Sequence, residues 1–156
     1  MYRDILIGRV KQVETFFNRS TSAFTEEDSS FVPVGDMFSV AAQVVHAGQT
    51  VEWLIEGAFG NGWAMDFDKH VAEARACTSL SEARQVFAKA IQHAVDVIGS
   101  KSDEELQAAF PADDPVLPGA PKGEIVGAME DHSAHHRGAL TVYARLLGKQ
   151  SPMPYM

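Results

Sequence analysis

The sequence predicts an all-α protein, a four-helix bundle with a long crossover between its second and third long helices. Four stretches of about 20 residues carry apolar residues at spacings of three and four, which is typical of amphipathic helices. No stretch alternates apolar and polar residues over a useful strand length. The connection between the second and third of these stretches is long enough to run the length of a bundle, so a parallel crossover and a simple up-and-down order both stay open.

The first two helices are predicted from the pattern at the N-terminal end. Apolar residues at helical spacing run from Tyr2 to about Phe24, which predicts helix one. A polar connection of residues 25–35 follows. Asp36 is the predicted N-cap of helix two, which runs to about Gly57.

The middle of the chain is predicted to be a partly helical crossover followed by helix three. Glycines after residue 56 end helix two, and the next segment contains a short predicted helical turn from Asp68 to Cys77. Ser81, followed by an acidic residue, is the predicted start of helix three, which continues to Gly99.

The last long helix follows a proline-containing loop. Residues 102–109 allow one more short helix, and the prolines between Phe110 and Lys122 prevent a helix there. Helix four is predicted from about Lys122 to Leu147, with Gly148 as its left-handed cap.

Composition indicates the kind of protein in which these helices occur. A chain of 156 residues that is 46% hydrophobic predicts one domain, residues 1–150, followed by a short C-terminal tail, residues 151–156. The net charge of -8 opposes nucleic-acid binding. The single cysteine excludes an intramolecular disulfide, and the N-terminus does not resemble a signal peptide. No apolar run has the length of a membrane span, so we expect a soluble, cytoplasmic protein.

A histidine pair in helix four is the first candidate functional feature. Apolar or small residues recur along one face of this helix at Ile125, Met129, Ala139, Tyr143 and Leu146. His132 and His136 lie on the same line, and a spacing of four residues lets two imidazoles reach one point beside the helix. This geometry is the one that a shared metal ion needs, although a hydrogen-bonded pair in the core is the alternative.

Helix two supplies a third candidate ligand. His46 shares its side of the helix with Ala42, Gln49 and Trp53, so we expect it to point inward. Three neutral imidazoles leave a coordination position for water or substrate, as catalytic zinc sites do. Imidazole ligands suit zinc and nickel, and we expect one of these divalent ions.

The stretches FSVAAQVVHAGQTVEWL in helix two and HSAHHRGALTVYARLLG in helix four resemble the DinB/YfiT-like family. The resemblance implies a crossover four-helix bundle that forms homodimers and binds a divalent metal through His46, His132 and His136. It also implies a metal-dependent S-transferase, which attaches a low-molecular-weight thiol to an electrophile, or a thiol-dependent isomerase. The metal would lower the pKa of that thiol, or else activate water as in a hydrolase. The alternative is a non-catalytic metal-binding or stress-response interaction protein.

The remaining histidines are weaker candidates. His135 is rotated away from the ligand line, so we expect it on a flank or at an interface. His93 lies at the edge of the helix-three stripe, where partial exposure is expected, and His70 lies in the crossover without a predicted partner.

Several other reactive or polar residues have structural interpretations. Trp53 is expected to pack in the core, and it can line a pocket as well. Glu130 and Asp131 are expected to be solvated on the outer side of helix four. Arg137 is expected to be a solvated arginine paired with an acid, and the alternative is that it binds an anionic thiol or its carboxylate. Cys77 has no recognisable nucleophile signature and is interpreted as a small buried thiol, so a transferred thiol would come from a cosubstrate.

Apolar residues outside the main stripe predict a homodimer with two-fold symmetry. The residues are Leu140, Val142 and Leu147 in helix four, and Met153, Tyr155 and Met156 in the tail. The alternative is that these residues pack within one bundle or beneath its long connections.

Overall fold

The computed structural model describes every residue from Met1 to Met156, and it contains helices without strands. The prediction of an all-α protein is confirmed. The helices in chain order are α1 (Tyr2–Ser20), α2 (Val40–Phe59), α3 (Phe67–Ala76), α4 (Leu80–Ser100), α5 (Asp103–Gln107) and α6 (Ile125–Leu146). Two single-turn 3-10 helices cover Glu26–Asp28 and Lys122–Glu124. None of the helices combines the length and hydropathy that a membrane span requires.

Helix α1 ends earlier than the apolar pattern predicted. It stops at Ser20, not near Phe24, and Thr21 leaves the helical conformation with φ -101° and ψ 5°. The Thr21 hydroxyl donates to the carbonyl of Phe17 at 2.9 Å, and the Ser22 hydroxyl donates to that of Arg19 at 2.9 Å. The same two carbonyls also accept from the backbone amides of Thr21 and Ser22, so side chain and backbone together close the last turn before the apolar pattern ends.

The start of α2 corrects the predicted cap. Asp36 is not the N-cap; Ser39 is, and its hydroxyl accepts a hydrogen bond from the amide of Ala42 at 3.1 Å. Aspartate and serine are equally good caps, so position decides: Ser39 has the extended conformation of an N-cap, φ -67° and ψ 169°, directly before the first helical residue, Val40. The helix ends at Phe59, two residues beyond the predicted Gly57.

The crossover contains a helix, α3, which covers the segment predicted as a short helical turn. Its N-cap Asp66 accepts from the amide of Lys69 at 3.1 Å. Helix α4 begins at Leu80, one residue earlier than expected, because Ser79 is its cap and accepts from the amide of Glu82 at 3.2 Å. At the other end of the chain, Gly148 has φ 72°, the left-handed conformation predicted for it.

Helices α2 and α4 run parallel and lie close together. Gly48 lies against Phe87, and four residues later Glu52 contacts His93, so the contacts advance in the same direction along both helices. A Cβ added at Gly48 would be 2.9 Å from the Cα of Phe87. Glycine therefore permits a backbone approach that any larger residue would prevent.

Helix α6 packs against both α1 and α2, and it runs parallel to α1 and antiparallel to α2. Tyr2 lies beside Gly123 and Arg9 contacts Glu130, so α1 and α6 are parallel. The contacts of α2 run the other way, because early residues of α2 meet late residues of α6. The four long helices enclose one apolar core. Its largest fully buried side chains are Tyr143, Phe17, Phe87, Leu6, Leu54, Ile55, Ile98, Leu106, Ile125, Met129, Leu140 and Val10.

Two predicted positions on α6 are wrong. Leu140, which was expected to add apolar surface, is 0% exposed, whereas Leu146, which was expected on the inward line, is 61% exposed. The two residues are six positions apart, a rotation of about 120° around a helix with 3.6 residues per turn, so they cannot share a face. Tyr155 of the tail packs edge-on against Phe16 of α1 with ring centroids 5.0 Å apart.

Candidate metal centre

The structure brings the three predicted histidines together. His46 comes from α2, and His132 and His136 come from α6. The ring centroids of His46 lie 5.2 Å from His132 and 4.9 Å from His136, and those of His132 and His136 are 4.4 Å apart. One nitrogen atom from each ring lies within 4.8 Å of the others. The donor set is therefore three imidazoles that face a common point.

The nitrogen separation fits two ligands of one ion. Nε2 of His132 and Nε2 of His136 are 3.2 Å apart. Two nitrogens that each lie about 2.1 Å from a tetrahedral ion are about 3.4 Å apart. In addition, Nδ1 of His46 is buried and makes no hydrogen bond. Buried polar atoms without partners are uncommon, and they suit a site that binds a ligand.

A chain of hydrogen bonds orients His136 from behind. The Tyr143 hydroxyl donates to the carbonyl of Phe38 at 3.0 Å and therefore accepts from Nε2 of Gln43 at 3.2 Å. This fixes the amide of Gln43 with its oxygen, Oε1, against Nδ1 of His136.

The same chain determines the tautomer of His136. Because the amide oxygen can only accept, Nδ1 of His136 carries the proton and donates it to Gln43. Nε2 of His136 then has a free lone pair, and it is this atom that faces His132. A carbonyl that accepts from the second ring nitrogen is the usual way in which proteins orient a metal-binding histidine.

Thr50 contacts the second histidine of the pair. Its hydroxyl donates to the carbonyl of His46 at 3.1 Å, and the hydroxyl oxygen lies 3.3 Å from Nε2 of His132. The lone pairs of Thr50 and of His136 both face that nitrogen, so in the absence of metal Nε2 of His132 carries the proton. The nitrogen that binds a metal must be unprotonated, so metal binding through Nε2 of His132 requires this proton to move to Nδ1 of the same ring.

All three imidazoles are held in the neutral form that binds metals. Burial is the largest cause in each case, because it disfavours the charged ring. It lowers the pKa of His136 to about 3 and that of His132 to about 4, with a smaller contribution from the neighbouring histidines. The pKa of His46 is also lowered by burial. Protons therefore do not compete with a cation at neutral pH.

A cavity of about 270 Å³ opens beside the histidines. His46 and His132 form part of its wall, whereas His136 lies behind them. The other lining residues are Gln49, Thr50, Trp53, Phe67, His70 and Val71. A larger cavity of about 570 Å³ has Gln49, Trp53 and His70 in its wall as well. A small molecule in this cavity can therefore reach His46 and His132.

The other histidines and Arg137 lie outside the cluster. His135 is exposed, as expected for a flank, with its ring 5.0 Å from that of His136. His93 is half-buried and contacts Glu52 at 2.9 Å. Arg137 stacks over the ring of Tyr155 in the C-terminal tail at 5.6 Å, so it does not contribute to either cavity beside the histidines.

The remaining candidates have mixed outcomes. Trp53 packs against the core and also lines both cavities, so its two predicted roles coexist. Glu130 was expected to be solvated, which is wrong: Arg9 donates to it through Nε at 2.8 Å and through a second nitrogen. Asp131 is exposed as expected. Burial raises the pKa of the Cys77 thiol, which is consistent with an unreactive cysteine.

Sequence reasoning missed the roles of two residues that contact the cluster and of a third that orients one of them. These are Gln43, Thr50 and Tyr143. Gln43 and Thr50 lie three residues before and four residues after His46, and Tyr143 lies seven residues after His136. The spacing alone places all three on the histidine faces, but it does not distinguish a polar partner from a residue that packs in the core.

The sequence of this chain was compared with known protein families and with curated proteins. A family model described as the DinB family matches residues 11–156, a range that includes all three histidines. A search of curated proteins found no match to the chain. Since the matched range is nearly the whole sequence, the chain belongs to the DinB family.

Proposed function

We propose that this protein is a metal-dependent enzyme that binds one divalent ion, zinc or nickel, through His46, His132 and His136. The three rings are neutral, converge from two helices, and have nitrogen separations that suit one ion. Gln43 holds one of them in the tautomer that a ligand requires. Imidazole ligands favour zinc and nickel over the harder magnesium and calcium ions.

The main support for a catalytic role is that the three-histidine cluster lies at the wall of a cavity. A structural zinc site is closed by four protein ligands, whereas a catalytic one has three and a position that substrate can reach. Here the protein offers three imidazoles, and two of them line a cavity of about 270 Å³. This supports an enzyme over the non-catalytic metal-binding or interaction protein that is its alternative.

The reaction we propose is the transfer of a low-molecular-weight thiol to an electrophile, on the strength of the family resemblance. When bound, the metal would lower the pKa of a thiol, or of water if the reaction is hydrolytic. Trp53, Phe67 and Val71 give the cavity an apolar wall that suits a hydrophobic electrophile. Cys77 does not line this cavity and its thiol pKa is raised, so the sulfur comes from a cosubstrate.

We also propose the arrangement and assembly in which this site works. The parallel α2 and α4, joined through α3, support a four-helix bundle with a crossover, built as one domain of residues 1–150. Val142 and Leu146 are exposed one turn apart on α6, at 54% and 61%, and they support a homodimer. A thiol-dependent enzyme with a single, half-buried cysteine fits the cytoplasm.

Cobalt substitution tests the open coordination position. Cobalt(II) can replace zinc, and its visible spectrum changes when a new ligand binds. A small thiol or azide should change the spectrum of the cobalt-loaded wild type and leave that of a His132→Ala, His136→Ala variant unchanged. An unchanged wild-type spectrum with saturating thiol would favour the non-catalytic alternative.

A further inference from the structure

We propose that Glu52, Glu56 and His93 form a second divalent-cation site, separate from the three histidines. Glu52 and Glu56 lie one turn apart on α2, and His93 faces them from α4. One donor atom from each residue lies within 4.8 Å of the others. Two carboxylates and one imidazole from two helices thus converge on a single point.

The packing of the two helices fixes this convergence. Gly48 allows the backbones of α2 and α4 to approach closely one turn before Glu52. His93 Nδ1 lies 2.9 Å from Oε2 of Glu52, so these two side chains already point at each other. Close parallel packing leaves α4 little freedom to move its histidine away.

A loop residue orients the second carboxylate. Asn61 follows the end of α2, and both its backbone amide and its side-chain amide donate to Oε2 of Glu56 at 3.2 Å. One oxygen of Glu56 is therefore restrained, while Oε1 is left without a partner among the hydrogen bonds of the protein. An oriented carboxylate with a free oxygen loses less entropy when it binds a cation.

No lysine or arginine pairs with the carboxylates of this cluster. Glu56 forms no ion pair, and the only basic group within ion-pair distance of Glu52 is His93 itself. Lys89 lines the same cavity but pairs with neither carboxylate. Two carboxylates that approach each other at the wall of a 570 Å³ cavity repel one another, and a divalent cation would remove that repulsion.

The donor types distinguish this site from the three-histidine cluster. Carboxylate oxygens suit the harder divalent ions such as manganese, whereas imidazole nitrogens suit zinc and nickel. Both cavities are lined by Gln49, Trp53 and His70, so the two sites lie on neighbouring walls. The second site does not depend on the proposed function, because its ligands are all outside the three-histidine cluster.

Manganese titration followed by electron paramagnetic resonance tests the proposal, since the signal of free manganese decreases on binding. Protein preloaded with a single equivalent of zinc, which the three histidines should bind first, should bind one manganese ion. A Glu52→Gln, Glu56→Gln variant, which keeps the acceptor oxygens that Asn61 and His93 use, should bind it at least 10-fold more weakly. The matched control is Glu73→Gln, which removes a carboxylate from the same cavity outside the cluster and should bind as the wild type does.

A second comparison separates the two sites. The His132→Ala, His136→Ala variant should retain manganese binding, and its fold can be checked by circular dichroism. The proposal is overturned if the wild type binds no manganese, if the glutamine variant binds it as tightly as the wild type, or if only the histidine variant loses it. The last result would assign manganese to the three-histidine cluster.

Discussion

Nδ1 of His136 donates a hydrogen bond to Oε1 of Gln43, which joins α6 to α2 behind the histidine cluster. The direction of this bond is set by Tyr143, whose hydroxyl is committed to the carbonyl of Phe38. As a result, the lone pair of His136 points towards the other two histidines. A residue that does not touch the proposed metal therefore controls whether one ligand is ready to bind it.

We expect Gln43→Leu to weaken zinc binding about 10- to 100-fold, the range that is usual when a partner of a metal-binding histidine is removed. Leucine has a similar size but cannot accept from His136. Competition with a chromogenic chelator measures the affinity. Gln92→Leu on α4 is the control, because Gln92 is exposed and its side chain makes a hydrogen bond only to Asp96. Equal affinities for the Gln43 variant and the wild type would refute the role of this bond.

Tyr143→Phe should lower the free energy of unfolding by about 1–3 kcal/mol, because it leaves the buried amide of Gln43 without its acceptor. The ring itself stays in the core, so packing is preserved. Urea unfolding of the metal-free protein measures the loss. Tyr155→Phe in the exposed tail serves as the comparison and should change stability by less than about 0.5 kcal/mol.

Gly48→Ala should destabilise the protein by about 1–3 kcal/mol, since its methyl group would meet the backbone of Phe87 on α4. Gly8→Ala on α1 is a matched control: it gains the same helix propensity, up to about 1 kcal/mol, and its methyl group meets no atom within 4 Å. Thermal unfolding should move the two variants in opposite directions. A stabilised Gly48 variant would contradict the close packing of α2 and α4.

The metal-free protein should lose stability as the pH falls below about 6.5. The folded-state pKa values of His132 and His136, about 4 and about 3, are below that of an unfolded histidine, so the unfolded chain takes up more protons in this range. Urea unfolding in the presence of a chelator at several pH values measures the slope. His136→Gln should reduce the slope, because it removes one of the two groups with a lowered folded-state pKa.

Light scattering at micromolar concentration should give about twice the chain mass of 17.0 kDa, as expected for a homodimer. A Val142→Glu, Leu146→Glu variant places charges on the exposed α6 face and should shift the mass to that of one chain. A wild-type mass that remains at 17.0 kDa on concentration would exclude the dimer. A variant that remains dimeric would instead place the interface on another face.

The helices could be predicted because each buries a broad apolar face, and the inward position of His46, His132 and His136 follows from the same periodicity. Helix ends were less certain, because several hydroxyl or carboxyl residues compete for each cap. Ser39 caps α2 where Asp36 was expected, and Ser79 caps α4, which begins one residue before the expected start at Ser81. The residue that becomes the cap is the one directly before the first residue that packs as helix, and this position depends on tertiary contacts.

Contacts between helices could not be predicted from periodicity alone. Gln43 and Tyr143 are 100 residues apart, and nothing in either helix indicates that their polar atoms meet. The ion pair between Arg9 and Glu130 was missed for the same reason, since it requires the parallel arrangement of α1 and α6. Sequence spacing identifies a face of a helix, whereas the partner of that face depends on topology.

The most direct test is zinc content after loading and dialysis, measured for the wild type and for a His132→Ala, His136→Ala variant. Zinc must be supplied before the measurement, because a site can be left empty during expression. His135→Ala controls for the loss of a nearby histidine outside the cluster. We predict that the double variant contains one equivalent of zinc less than the wild type and that the control contains as much as the wild type. Equal zinc in the wild type and the double variant would contradict the three-histidine metal centre.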